Sequence, residues 1–344
     1  MSERELRHLI VPIFIPNQGC PHRCVFCEQE QITSTSGREV NGKYIAKVLD
    51  TAIRSTGYDL RRNPEVAFYG GTFTGLPLDR AREYLKAVDP YMKKGLFRSI
   101  RVSTRPDALD KDRLEMLKDH GVRTVELGVQ SMDDSVLSLS HRGHTASDTV
   151  KAVEILKKKG FRVGIQLMPG LPGDTKEKFR STITRVIDLD PDMVRLYPAL
   201  VIRGTALARW YKEGRYIPLE TGEAVDICTD SCIRLESHGI PVIRIGLMSS
   251  PTLLEKGQIM AGPWHPAFGF LVRSGIHHIK IGPDLPGPGE ISRISLRVQS
   301  REIPLLRGYK NQGLELIENK TKAKIVKVEA DESVPSGRVR VEEA

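Results

Sequence analysis

The 344-residue chain has no apolar run close to the roughly 20 residues that cross a membrane, so its sequence predicts no transmembrane helix. Residues 9–15 form a short apolar run, but Pro12 interrupts it and no small-residue cleavage site follows. We therefore predict a buried strand there and no signal peptide. No fixed sequence period recurs, which excludes a solenoid of stacked repeats.

Cysteine is also scarce in this chain. There are 5 cysteines, an odd number, and three of them crowd into one short segment. This distribution argues against a disulfide framework and favours a reducing compartment. We therefore predict a cytoplasmic protein.

Charged residues are plentiful by contrast. They make up 28% of the chain and apolar residues 40%, the balance of an ordinary globular protein. The net charge is +9 and the pI is about 9.3, which favours a polyanionic partner such as RNA. Many basic proteins bind no nucleic acid, so charge alone identifies no partner.

Short β-branched runs alternate with patterns of helical period, which predicts a parallel sheet whose strands are joined by helices. Asp110 and Asp174 lie where they can cap helix starts, and Gly121 and Gly160 follow final helical turns. We predict an α/β fold, a partial (β/α)6 TIM-like barrel whose chemistry lies in the loops after the strands. The predicted strands cover residues 9–15, 65–69, 99–103, 123–129, 162–167 and 193–196, and the helices cover residues 42–55, 78–92, 110–120, 146–159 and 175–189.

The sequence pattern changes after residue 196. A helix is predicted over residues 221–237 and another strand over residues 241–246. Glycine and proline are dense from residue 248 to residue 289, which predicts a loop-rich segment. Weak β patterns at 291–298, 323–328 and 338–341 predict a small appended sheet. We place a boundary near residue 215, between a barrel over residues 1–215 and a small C-terminal α+β extension over residues 216–344.

Cys20, Cys24 and Cys27 form a CxxxCxxC run just after the first predicted strand. Thiolates are soft ligands that favour zinc or the iron of iron–sulfur clusters. A structural zinc site normally closes with four protein ligands, so zinc would need His22 or a distant residue as the fourth. A [4Fe–4S] cluster on three cysteines instead leaves one iron open to another ligand.

This spacing, with the aromatic Phe26 before Cys27, resembles the signature of the radical S-adenosylmethionine (SAM) superfamily. The resemblance implies a [4Fe–4S] cluster on the three cysteines, with SAM bound to the open iron and Phe26 near its adenine. Gly70, Gly71 and Thr72 follow the second predicted strand and match the superfamily's glycine motif, which contacts the amino group of SAM. Taken alone, a Gly-Gly pair is usually just a turn, although it also lets a ligand approach the backbone.

Four polar residues near later strand ends are similar in position to SAM contacts of the oxygen-independent coproporphyrinogen oxidases. Gln130 and Arg142 also match in residue type. The resemblance implies that Arg142 holds the SAM carboxylate, which a guanidinium can bind with two hydrogen bonds. Ser103 and Gln166 are the other two expected contacts, although that family has acidic residues at both positions.

Over roughly residues 8–246 the chain resembles the radical SAM half of the Elongator catalytic subunit. The likeness is carried by residues 196–205, the Arg105-Pro106-Asp107 run and the segment after Arg142. That resemblance implies a wobble uridine in tRNA as the target. The family's cysteines are more widely spaced than those of this chain. The roughly 60 residues after Gly282 are also too few for that family's acetyltransferase domain, so we do not expect its acetyl-CoA reaction here.

The expected activity is reductive cleavage of SAM to a 5′-deoxyadenosyl radical, which then takes a hydrogen atom from tRNA or another nucleotide-containing substrate. A donor of the flavodoxin or ferredoxin type would supply the electron. One alternative is a radical SAM enzyme for a small molecule such as a tetrapyrrole. Another is a non-enzymatic zinc or iron–sulfur protein that binds RNA.

The remaining cysteines and several histidines have weaker signals. Cys228 and Cys232 lie four residues apart on a predicted helix, where buried packing is commoner than a shared ligand. His265, beside Trp264, and the pair at residues 277–278 could line a substrate site, but loop histidines are more often exposed to solvent.

Overall fold

A computed structural model of the chain describes residues 8–21, 23–29, 32 and 39–344. These residues form two compact units that alternate along the sequence. The first contains the described residues up to Leu219 together with His238–Pro263, and the second contains Glu220–Ser237 and Trp264–Ala344. The domain boundary near residue 215 stays a prediction.

The first unit is built on a curled, seven-stranded parallel sheet with the strand order β1-β2-β3-β4-β5-β6-β8. The predicted α/β partial barrel is confirmed, and β8 extends it by a seventh strand that the sequence had placed in the extension. A separate antiparallel pair joins β7 and β9. The strands are β1 (Ile10–Phe14), β2 (Glu65–Tyr69), β3 (Ser99–Thr104), β4 (Val122–Gln130), β5 (Arg162–Leu167), β6 (Met193–Leu196), β7 (Val201–Ile202), β8 (Val242–Ile245) and β9 (Ile259–Ala261).

Helices follow most of these strands, and local sequence signals mark their ends. The side chain of Asp110 accepts a hydrogen bond of 2.8 Å from the backbone N–H of Arg113, and Thr145 and Asp148 form a capping box. Gly121 lies at φ +76° directly after a helix, a conformation that favours glycine. The helices are α1 (Gly42–Ile53), α2 (Leu78–Lys93), α3 (Lys111–Asp119), α4 (Asp134–Leu139), α5 (Ala146–Lys158), α6 (Lys176–Leu189) and α7 (Ala206–Lys212).

The two faces of the parallel sheet differ in chemistry. Apolar side chains such as Ile100 and Val102 of β3 are fully buried. The alternate positions of the same strands carry buried charges, among them Arg101 of β3 and Glu126 of β4. Because successive side chains of a strand point to opposite faces, these charges share the face opposite the apolar core. We call this polar interior of the curled sheet the lumen.

The second unit combines helices with a three-stranded sheet of order β11-β10-β12, which confirms the predicted small sheet. Its core contains Ile281, Ile294, Leu296 and Ile317. The helices are α8 (Thr221–Ser237), α9 (Phe268–Ile281), α10 (Ile303–Arg307) and α11 (Gln312–Thr321), and the strands are β10 (Arg293–Val298), β11 (Lys324–Ala330) and β12 (Arg340–Glu343).

The loop-rich prediction for residues 248–289 is wrong over α9, which spans 14 residues. No proline interrupts that stretch, and its apolar residues Phe268, Val272 and Ile276 recur with helical spacing. Gly275 aids packing here, because a Cβ at this position would lie 3.0 Å from Thr229 Oγ1 of α8.

Among the helices of the described ranges, none is both long enough and apolar enough to cross a bilayer. The cytoplasmic location stays a prediction.

Candidate active site

The cysteine loop packs directly on the glycine motif that follows β2. The backbone N–H of Thr72 donates a 2.8 Å hydrogen bond to the carbonyl oxygen of Gln18. A Cβ on Gly71 would lie 2.2 Å from that same oxygen, and a Cβ on Gly19 would lie 2.2 Å from the Thr72 carbonyl oxygen. The two loops therefore approach this closely because both contact residues are glycine.

The three cysteines share this loop and one electrostatic environment. Cys20 Sγ lies 3.2 Å from the buried Thr72 Oγ1, and the backbone N–H of Cys27 donates to the Cys24 carbonyl oxygen at 3.1 Å. Burial, together with the neighbouring Cys24 and Cys20 thiols, raises the pKa of Cys27 to about 12. Cys20 and Cys24 are thus close enough to Cys27 to disfavour the ionisation of its thiol.

The described part of the chain contains no group of three or more His, Cys, Asp or Glu side chains gathered around one point as metal ligands. His22, the nearest candidate for a fourth zinc ligand, lies outside the described residues. Three thiols on one loop are nevertheless the donor set that suits iron–sulfur iron.

Arg142 reaches the cysteine loop from the segment between α4 and α5. Its Nη1 donates to Cys24 Sγ at 3.0 Å, and its Nη2 donates to the carbonyl oxygen of Gly128. A Cβ on Gly128 would lie 3.2 Å from Gln130 Nε2 and 3.4 Å from Arg142 Nη2, so the two predicted SAM contacts meet at the end of β4. Gln130 is buried at φ +69°, and within the described ranges its Oε1 has no hydrogen-bond partner.

A second arginine and a histidine lie beside this position. Arg105 is buried and forms a two-point ion pair with Asp107, with distances of 2.9 and 2.7 Å. Burial and the positive charges of Arg142 and Arg105 lower the pKa of His144 to about 4, so this imidazole is neutral near pH 7. His144 was not among the predicted site residues; its position two residues after Arg142 was the available signal.

Ser103 and Gln166 come together in the lumen with an acid that the sequence analysis missed. Gln166 Nε2 lies 3.3 Å from Ser103 Oγ and 3.0 Å from Glu126 Oε2. Glu126 is fully buried and also accepts hydrogen bonds from Arg101 and Arg195. Charged residues at alternating positions of otherwise apolar strands were the signal that could have revealed them.

Phe26 and Gly70 complete the predicted SAM contacts. Phe26 is half-buried against apolar side chains that include Val136, Leu171 and Ala199. Gly70 lies at φ +95°, a backbone conformation that other residues rarely adopt. The adenine contact of Phe26 stays a prediction.

The weaker candidates of the sequence analysis lie in the second unit. Cys228 and Cys232 are buried on α8, where burial raises the pKa of both thiols, that of Cys232 to about 12. They pack as small apolar side chains. The His265 ring contacts Tyr309 with centroids 4.7 Å apart, whereas His277 is buried in α9 and is not a loop residue.

Comparison with protein families gives two matches that together cover most of the barrel and part of the second unit. A model described as Radical SAM superfamily matches residues 14–186. A second, described as Radical_SAM C-terminal domain, matches residues 191–277.

Individual relatives point to two kinds of protein. The tRNA uridine(34) acetyltransferase of Methanocaldococcus infernus is 28% identical over 256 residues, which cover 63% of this chain and 48% of that protein. The heme chaperone HemW of Bacillus subtilis is 25% identical over 256 residues, which cover 73% of this chain and 66% of that protein. The chain spans only 24% to 48% of the length of three curated tRNA uridine(34) acetyltransferases that it matches.

A solved structure supports the same architecture. The archaeal Elp3 of Methanocaldococcus infernus with an N-terminal deletion has a TM-score of 0.61 and 22% sequence identity, covering 79% of this chain and 63% of that chain. At this level of identity the likeness establishes the fold of the barrel and nothing about its substrate.

Proposed function

This chain belongs to the radical SAM superfamily and is therefore an enzyme, and we propose that it modifies tRNA or another nucleotide-containing substrate. Members of the family bind a [4Fe–4S] cluster and SAM and need an electron donor. The observation that carries the substrate proposal is a basic and aromatic surface beside the cysteine loop.

The residues around the cysteine loop fit the family's cofactors. Cys20, Cys24 and Cys27 would hold the cluster, which when bound supplies the electron that cleaves SAM. Arg142 contributes a positive charge next to Cys24 Sγ, and its five N–H donors also suit the carboxylate of SAM. The backbone of Gly70, which has no side chain to shield it, would bind the polar end of SAM.

The basic and aromatic surface consists of Arg23, His141, Trp210 and Arg215. Arg23 follows the first cysteine of the loop, and its side chain is 64% exposed. The rings of His141 and Trp210 meet edge to face with centroids 6.0 Å apart, and the Arg215 guanidinium lies 5.2 Å from the Trp210 ring centre. Arginines that contact phosphates, interleaved with aromatic rings, are the chemistry by which proteins hold RNA.

Backbone hydrogen bonds attach this surface to the cysteine loop. The N–H of Val25 donates to the Ser140 carbonyl oxygen at 3.2 Å, and the N–H of Leu207 donates to the Val25 carbonyl oxygen at 2.8 Å. Arg23 and His141 also line a common groove of about 510 Å³. An RNA bound here would therefore lie next to the loop that carries the cluster.

Salt-dependent binding of tRNA tests the substrate proposal. Fluorescence anisotropy with labelled bulk tRNA would be recorded under anaerobic conditions across a range of salt concentrations. Arg23→Gln and Arg215→Gln should each reduce the slope of log K against log salt by about 0.9 if the lost arginine contacts one phosphate. Arg61→Gln is the matched control, because Arg61 is also exposed and ion-paired but precedes β2, at the opposite strand end from the loops. Slopes that are the same in all three variants would contradict the proposed surface.

The modified product is sought in cells. Nucleosides of bulk tRNA would be compared between cells with and without the gene by liquid chromatography and mass spectrometry. We expect one modified nucleoside to be absent without the gene and restored by the wild-type protein but not by Cys24→Ala. Identical nucleoside profiles, together with no salt-dependent binding, would reject RNA as the substrate.

A second candidate substrate is a tetrapyrrole or a similar small molecule. The observation in its favour is the match to the heme chaperone, which covers a larger share of this chain than the match to the tRNA enzyme does. Heme titration followed by absorption spectroscopy distinguishes the two, because tight heme binding without tRNA binding would favour the small molecule.

A further inference from the structure

We propose that Glu126 is a positioning residue that orients the amide of Gln166, so that a neutral carbonyl oxygen, in place of a carboxylate, is offered to SAM. This inference rests on the assignment of the barrel as a SAM site under the proposed function. It does not depend on the identity of the substrate.

The orientation of Gln166 follows from hydrogen-bond chemistry. Glu126 Oε2 lies 3.0 Å from the Gln166 side-chain amide, and an ionised carboxylate can only accept hydrogen bonds. The group of Gln166 that faces Glu126 must therefore be its NH2. Ser103 Oγ lies 3.3 Å from the same nitrogen and fixes it from a second side. The Gln166 carbonyl oxygen, which has no protein partner in the described ranges, remains to accept a hydroxyl hydrogen from a ligand.

Glu126 is paired with two arginines, the buried Arg101 and the partly buried Arg195. Its Oε1 accepts from Arg101 Nη1 at 2.5 Å and from Arg195 Nη2 at 2.8 Å, and the Tyr69 hydroxyl lies 3.3 Å away. Arg101 also pairs with the buried Glu65 at 2.7 Å, so two acids balance two bases in the lumen. The two arginines therefore compensate this buried carboxylate, and both of its oxygens accept hydrogen bonds.

The neighbouring strand makes room for this acid. A Cβ on Gly164 of β5 would lie 2.9 Å from Glu126 Cγ and 3.2 Å from Met193 Cγ. The glycine therefore admits the Glu126 side chain directly below Gln166, which is two residues further along the same strand. A carboxylate at position 166 would face Glu126, and Arg195, its neighbour in the register of β5 and β6, already pairs with Glu126; an amide therefore suits this position.

An exchange of the two side chains tests the coupling between them. SAM affinity would be measured by equilibrium dialysis of the anaerobically reconstituted protein from pH 6 to pH 9, for wild type, Gln166→Glu, and the double variant Glu126→Gln/Gln166→Glu. In Gln166→Glu a second carboxylate faces Glu126, so the apparent pKa of the pair rises. We expect SAM affinity to change about tenfold across the shared pKa, a pH dependence that the wild type lacks and that corresponds to one pKa unit of coupling.

The double variant restores a single carboxylate facing an amide and should lose the new pH dependence. The proposal is overturned if Gln166→Glu binds SAM with the wild-type pH profile, or if the double variant keeps the new titration. If the double variant fails to fold, the pH profile of SAM affinity in Gln166→Glu, compared with that of the wild type, still tests the proposal. This experiment contains no RNA, so its result does not depend on whether the protein binds tRNA. Failure of the wild-type protein to bind SAM would instead reject the proposed function itself.

Discussion

Substitution of Gly71 by alanine tests whether the contact between the cysteine loop and the glycine motif is needed for the fold. The added Cβ would lie 2.2 Å from the Gln18 carbonyl oxygen and 2.7 Å from the Ile15 carbonyl oxygen. Ordinary carbon–oxygen contacts are about 3.3 Å or longer, so the backbone segments must separate by about 1 Å. Both obstacles are backbone atoms, so no side chain can rotate away. Overpacking of this kind costs about 1–3 kcal/mol, and we expect the upper part of that range.

The measurement is thermal unfolding of the reconstituted protein, together with its iron content and SAM affinity. Gly71→Ala should lower the melting temperature by several degrees and weaken SAM binding, while iron is retained because all three cysteines lie on the cysteine loop. Gly57→Ala is the matched control, since a Cβ there meets no atom within 4 Å and the position has no positive φ. That control should be neutral or slightly stabilising. If the two variants melt at the same temperature, the inferred contact between the loops is wrong.

Substitutions at three further positions address the site and its surroundings. Cys24→Ala should lose iron on reconstitution without a change in the circular dichroism of the barrel, and full iron retention would contradict the cluster assignment. Arg142→Gln should weaken SAM binding because it removes a guanidinium 3.0 Å from Cys24 Sγ, and Arg142→Lys should recover part of the loss by restoring the charge. Asp174 precedes α6, whose N-cap is Thr175 and not Asp174 as predicted. Burial raises the pKa of the Asp174 carboxyl to about 6, so the contribution of this group to stability should be lost as the pH rises from about 4 through 6. Asp174→Asn should lack that slope in urea unfolding, and an unchanged slope would mean that another group titrates.

The barrel could be predicted from the sequence because its signals are local. A short buried strand, a capping aspartate such as Asp110 and a glycine such as Gly121 each act within a few residues of their own position. The radical SAM assignment was equally accessible, because the three cysteines lie within one short segment and the glycine motif follows the next strand. Both predictions needed little knowledge of contacts distant in sequence.

Helix α9 shows where local signals mislead. The density of glycine and proline led to the loop prediction there, and a glycine such as Gly275 does cost about 1 kcal/mol relative to alanine in a helix. Tertiary packing offsets this cost at Gly275, because the absence of a Cβ lets α9 approach Thr229 of α8. That contact joins segments separated by more than 40 residues, so no local window of sequence contains it.

The lumen of the barrel could not be derived from strand patterns alone, because its charges are paired across several strands. Glu126 lies beside Ser103 and Gly164 in the register of the sheet, yet its ionic partners are Arg101 and Arg195. These pairs run diagonally across a curled sheet, so they depend on register and curvature together. A charge in the middle of an otherwise buried strand nevertheless requires a partner on another strand, since an isolated buried ion is too costly. The sequence therefore implied that such pairs exist, and the fold determines that Glu126 is the acid placed beside Gln166.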